Sequence, residues 1–136
     1  METERNKKVM HFKDLEVWHL GKEIALLIYK LTARFPKEEL YGLTSQMRRA
    51  AISVSSNIAE GFNRFHNREY RRFLLLSLGS CAELETQLEI SFSLNYIQKE
   101  QTEMLLDKLN HETRMLRKLI KKLKERFALS KEGRTS

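Results

Sequence analysis

MRRAAISVSSNIAEGFNR, residues 47–64, is the stretch whose reading decides the fold. Laid on a helix at about 100° per residue, it separates into three stripes. Met47, Ala50, Ala51, Val54, Ile58 and Phe62 fall together as an apolar face directed at a core. Arg49, Ser53, Asn57, Glu60 and Arg64, with Gln46 just upstream, form an adjacent polar stripe. Ile52, Ser55 and Ala59 occupy a third side, small or apolar where solvent normally demands charge, and small residues let another helix approach closely. The helix is expected to stop at Gly61. That leaves Glu60 in the last turn, where the helix dipole disfavours negative charge. An acid there needs a reason.

The pattern stays helical on both sides of this segment, and no alternating strand segment occurs. Upstream, Val17, Leu20, Ile24, Leu27, Ile28 and Leu31 share one broad face of a helix expected over Asp14 to Ala33. Phe35-Pro36 ends it, because the residue before a proline avoids helical angles. Thr44 is expected to cap the second helix and Asn67 the third. The third helix is expected to reach about Asn95. Tyr70, Phe73, Leu74, Ser77, Cys81, Leu84, Leu88 and Phe92 form its core face. The fourth is expected from Lys99 to Phe127, with a heptad-like seam of Leu109, Thr113, Leu116, Ile120, Leu123 and Phe127. Short joints between four long helices imply an all-α, antiparallel up-and-down four-helix bundle in one domain. The bundle is expected over residues 12–128, with a flexible N-terminal tail at 1–11 and a disordered C-terminal tail at 129–136.

The third helix carries a second apolar side. Leu75, Leu78 and Ala82 lie opposite its core face, with Gly79 near them. A helix apolar on two sides is buried on two sides, and one bundle does not easily supply both. With Ile52, Ser55 and Ala59 of the second helix, these residues are the candidate oligomer interface, since exposed apolar patches mark partners. A homo-oligomer is therefore expected.

Composition narrows the function classes. The 136 residues include 25 Lys and Arg against 18 Asp and Glu, a net charge of +7 that permits nucleic acid or another anionic partner. Cys81 is the single cysteine, so an intrachain disulfide and a cysteine-based metal cluster are excluded. A reducing cytoplasmic setting fits that usage. The opening METERNKKVM lacks the apolar segment of a signal peptide. No run approaches the ~20 apolar residues that span a bilayer, so no membrane role is expected. The excess charge concentrates in two places. Arg114, Arg117, Lys118, Lys121, Lys122, Lys124 and Arg126 surround the seam of the fourth helix, opposed by Glu125. Arg64, His66, Arg68, Arg71 and Arg72 bracket the second joint, with Phe65 and Tyr70 interleaved. Of these, Arg64, Arg68, Arg71, Arg114, Arg117, Lys118, Lys121, Lys122 and Lys124 are the nucleic-acid-binding candidates. The bland alternatives are a solvated cationic face and local pairing, Arg72 or Arg68 with Glu69 or Glu83.

Several motifs together resemble the four-helix-bundle family of 23S rRNA intervening-sequence proteins. They are Phe12-x-x-Leu15-x-x-Trp18, Phe35-Pro36, Tyr41-Gly42-Leu43, Gln46 with Arg48-Arg49-Ala50, Ser56-Asn57-Ile58-Ala59-Glu60-Gly61, and Gly79-Ser80 before Glu83-Leu84. The resemblance spans Phe12 to about Lys122. It implies an up-and-down bundle that assembles into homopentamers, with no established enzymatic activity and genes often found within rRNA insertions. It also implies kinship with the pentameric accessory proteins of diversity-generating retroelements, which work with a reverse transcriptase and nucleic acid. It suggests a reason for Glu60: an ion network of Arg49, Asn57, Glu60 and Glu83, buried or interfacial, in which a bidentate arginine makes the carboxylate tolerable.

Enzymatic readings find little support. A di-iron bundle needs two Glu-x-x-His motifs, and only Glu16-x-x-His19 is present. Asp107 and His111 are a lone i,i+4 pair, and Arg5 with His11 only imitates a nuclease signature in a polar tail. No cofactor, no metal and no catalytic residue is expected. The expected function is a non-enzymatic oligomer that binds RNA or DNA through basic surfaces. The alternative is a scaffold ring that binds a protein partner without touching nucleic acid.

Overall fold

The structure is a computed structural model that describes residues 8–135, with side chains described through Ser130. Four helices make the bundle: α1 (Glu16–Thr32), α2 (Leu43–Phe62), α3 (Asn67–Ser93) and α4 (Lys99–Thr135). Each packs on its two neighbours around a square, α1 on α2 and α4, α3 on α2 and α4. Short 3-10 turns at Phe12–Asp14 and Lys37–Glu39 precede α1 and α2. The expected flexible segment 1–11 falls largely outside the described residues. At the other end α4 is helical past the expected stop at Phe127, as far as Thr135.

Helix ends differ from expectation for local reasons. Leu15 is extended (φ −87°, ψ 127°), so α1 starts at Glu16 instead of Asp14. His11 and Asp14 instead close a reciprocal capping box on the preceding turn. Gly42, not Thr44, is the cap residue of α2, and Thr44 is buried inside the helix. His66, not Asn67, caps α3. The third helix stops at Ser93 because Asn95 is left-handed, φ 64°. The Tyr96 amide then donates to the Ser91 carbonyl at 2.9 Å and the Asn95 amide to Phe92 at 3.0 Å, the paired bonds of a Schellman stop. Gly61 does not end α2, which continues to Phe62. Its role is close approach: a Cβ there would lie 2.8 Å from the Cβ of Phe73 and 3.1 Å from Tyr70.

The core follows the expected faces of α1 and α2, with Val17, Ile24, Ile28, Met47, Ala50, Ala51, Val54 and Ile58 buried. Each of these side chains apart from the two alanines contributes on the order of 1.5–3 kcal/mol on leaving water. Midway along the α2–α3 contact serines face each other across the two helices. The buried Ser77 hydroxyl donates to the Val54 carbonyl at 2.8 Å and Ser80 to the Ser53 hydroxyl at 2.9 Å, so these polar groups are satisfied. Thr32 and Arg48 join α1 to α2: Arg48 Nε donates to the Thr32 hydroxyl at 2.9 Å and its guanidinium lies over Tyr29.

Two core assignments are corrected. On α3, Gln87 and Ser91 are buried while Phe92 is 40% exposed, because the helix turns its inner stripe gradually over its length. On α4 the seam runs Leu105, Leu109, Glu112, Leu116, Ile120, Leu123, so the buried residue is Glu112 and Thr113 lies half-buried beside it. Phe127 lies beyond the core, half-exposed.

Candidate nucleic-acid interface

The up-and-down topology places the α2–α3 joint beside the C-terminal part of α4, so the basic residues of the joint approach Arg126 there, while Arg114 and Arg117 lie farther along the bundle beside Leu78, Cys81 and Ala82. Asn67 makes the junction. Its Nδ2 donates to the Leu123 carbonyl at 2.8 Å, and its Oδ1 accepts from Arg71 Nε at 2.8 Å. The Arg71 guanidinium then rests on the ring of Phe127, 5.3 Å from the centroid. A concavity of about 740 Å³ opens there, lined by Phe65, His66, Asn67, Arg68, Glu69, Arg126, Phe127 and Ser130. Burial raises the Tyr70 hydroxyl pKa, to about 12 with the opposing pull of nearby Arg126 included.

The arginines of the joint divide into held and unheld. Arg64 donates to Glu60 at 2.6 Å and lies over Phe73; Arg72 pairs with Glu69 at 3.0 Å and lies over the same ring. Local pairing therefore accounts for these two. Arg68 is exposed and in no ion pair among the described residues. The same holds for Arg114, Arg117, Lys118, Lys121, Lys122, Lys124 and Arg126. Arg114, Arg117, Lys121 and Lys124 recur at intervals of three and four, a stripe roughly 15 Å long. The first two line a groove shared with Leu78, Ala82 and Glu85 of α3.

Within one chain, Glu60 is explained by Arg64 one turn later, an exposed pair of the kind worth a few tenths of a kcal/mol. Arg49 and Glu83 take part in no ion pair among the described residues, and Asn57 donates to the Ser53 carbonyl and hydroxyl at 2.8 and 2.9 Å. The four residues named as a network are therefore not joined inside the chain. The interface candidates also separate. Ser55 is small because α1 crosses it: its Cβ lies 3.4 Å from where a Gly21 side chain would begin. Ala59 is half-buried. Ile52 is 44% exposed and lines a groove with Tyr29, Leu40 and Tyr41 on the α1–α2 side. Leu75, 56% exposed, and Ala82 are exposed on α3, while Leu78 packs partly against the core.

The feature that sequence reasoning missed is Glu112. It is fully buried between α1 and α3, and neither carboxylate oxygen has a hydrogen-bond partner among the described residues. A Cβ on Gly21 would lie 2.8 Å from its Oε2, so the absent side chain of α1 makes room for the acid. Burial holds the Glu112 pKa at about 8 and, with Glu112 adding to it, drives the Cys81 thiol up to about 12. The signal was available as spacing: Glu112 sits three residues after Leu109 and four before Leu116. Among the described residues no group of three or more His, Cys, Asp or Glu converges as a metal site.

Residues 13–118 match the model of a family described as 23S rRNA-intervening sequence protein. No curated protein matches the sequence. Among solved structures, this chain is similar to the crystal structure of a protein of unknown function from the S23 ribosomal protein family of Bacteroides thetaiotaomicron. The two share 24% identity and a TM-score of 0.70 over 77% of this chain and 98% of that one, a likeness of fold.

Proposed function

The chain belongs to the 23S rRNA-intervening sequence protein family, and from that premise we propose that it is a non-enzymatic homo-oligomer that binds RNA or DNA through the basic end of its bundle. The observation that carries the reading is the set of exposed cations with no ion-pair partner among the described residues: Arg68 and Arg126, which line one concavity, and the α4 stripe, which runs from the middle of the bundle toward that end. Cations without acidic partners keep their full attraction for phosphate, and each phosphate neutralised releases counterions. Self-association is supported by apolar residues exposed on two different sides, Ile52 beside α1 and Leu75 on α3. Two unlike patches suit a head-to-tail contact, the kind that closes into a ring. Five copies is the number that the family resemblance implies. Among the described residues no helix is long and apolar enough to cross a membrane. A buried free thiol at Cys81 suits the cytoplasm.

The test is binding of a structured RNA hairpin, and of a matched DNA duplex, from about 50 to 200 mM salt. Several phosphate contacts predict a loss of orders of magnitude in affinity over that range. The slope should flatten when Arg117, Lys118, Lys121, Lys122 and Lys124 are neutralised together. Absence of binding at the low-salt end would refute the reading in favour of a ring that docks a protein.

A further inference from the structure

Resting on that reading, we propose that the concavity between the α2–α3 joint and α4 receives an unpaired base of single-stranded RNA or DNA, stacked on Phe65, with the flanking phosphates held by Arg68 and Arg126. Phe65 is 101% exposed, as open as the side chain is in an extended peptide. It takes part in no ring stacking or cation–ring contact among the described residues, whereas Phe62, Phe73 and Phe127 all do. A fully exposed ring has both faces open to stack on a flat group.

The surroundings say what kind of occupant fits. The volume lies within the range of small-ligand sites. Its lining carries two cations, Arg68 of α3 and Arg126 of α4. Its single carboxylate, Glu69, is already held by Arg72 at 3.0 Å and does not neutralise them. An apolar protein segment would bury these charges unpaired. A nucleotide offers a flat face to the ring and a phosphate to each arginine, which is how single strands bind without sequence readout. A duplex keeps its bases stacked on one another, so it can use the arginines but not the ring. Asn67 ties the two walls together through the Leu123 carbonyl of α4 and orients Arg71 on its own helix.

The experiment compares a short poly(U) strand carrying one 2-aminopurine with a duplex of the same length, using the full-length oligomer. Phe65→Ala should lower affinity for the strand about five- to a hundredfold, the range a lost base–aromatic stack gives. It should leave duplex affinity and the salt dependence of both unchanged. Phe65→Trp should restore strand binding and quench the 2-aminopurine. Arg68→Ala with Arg126→Ala should weaken both ligands and reduce the salt slope. If Phe65→Ala leaves strand affinity intact while the wild type binds both ligands, stacking is refuted and the basic interface stands. If Phe65→Ala instead changes oligomer mass, the ring is covered by a second copy and the inference fails. If the wild type binds neither ligand, both this inference and the reading beneath it fall.

Discussion

Replacing Glu112 with glutamine should remove most of the pH dependence of this fold above the ordinary carboxylate range. In the folded chain the acid stays protonated to a pKa of about 8, from an ordinary 4.5. In the unfolded chain it ionises at its ordinary value. Between those two limits the native state binds one more proton than the unfolded state, so stability falls as pH rises, by about 1.4 kcal/mol per pH unit. Across the whole interval that is about 5 kcal/mol, a large part of the 5–15 kcal/mol typical of a domain. Below pH 4.5 and above pH 8 the contribution levels off. Glutamine holds the neutral shape at every pH. Its amide is also buried without a partner, which shifts the curve by a constant but adds no slope. The groups that bear on the site are Cys81 and Glu85 of α3, with Gly21 on the α1 side and Thr113 beside the thiol on α4. The assay is urea unfolding followed by circular dichroism at pH 5 to 9, with protomer concentration fixed because assembly shifts apparent stability. Parallel wild-type and Glu112→Gln curves across that range would refute the argument.

Three further outcomes follow from the same geometry. Gly21→Ala should destabilise the bundle by about 1–3 kcal/mol through overpacking against Oε2, and most of the loss should disappear in the background of Glu112→Ala, read as coupling in a double-mutant cycle. Cys81, buried and with its thiol raised to about 12, should not react with a maleimide at pH 8 until denaturant is added. Leu75→Lys on the exposed side of α3 should lower the oligomer mass in light scattering while leaving helical content unchanged; a retained oligomer would exclude this side as the contact.

The fold was legible because apolar residues on α1 and α2 recur at a strict helical period, and Ile24, Ile28, Val54 and Ile58 are buried where that period puts them. The helix ends were less legible, since Leu15 and Asn95 act through backbone angles that leave no trace in hydrophobic pattern. Glu112 was overlooked for a different reason. Residue type outweighed spacing, and the glycine that accommodates it lies on another helix, remote in sequence. The basic residues were each visible, but as two clusters; what brings Arg68 and Arg126 to one concavity is the packing of the joint on α4, marked by the contact between Asn67 and Leu123, which no local pattern announces. Glu60 raised a question that suggested a long-range network, and its partner within the chain is the nearest cation downstream.

Leu123 is the last buried residue of α4, and every described residue after it is exposed. The helix nevertheless continues to Thr135, roughly 18 Å beyond. It is a cantilever, clamped at the Leu123 carbonyl by Asn67 and braced a turn later where Arg71 lies on Phe127. Beyond Leu123 no described side chain is buried, and a helix held chiefly by its own backbone bonds is marginal in water. Arg126 and Phe127 sit on this overhang, so one wall of the concavity exists only while the overhang is wound. Winding and occupancy are then two sides of one equilibrium: a strand bound there should slow amide exchange along the overhang, and Leu129→Gly, at a residue that does not line the concavity, should weaken the strand's grip by the same linkage.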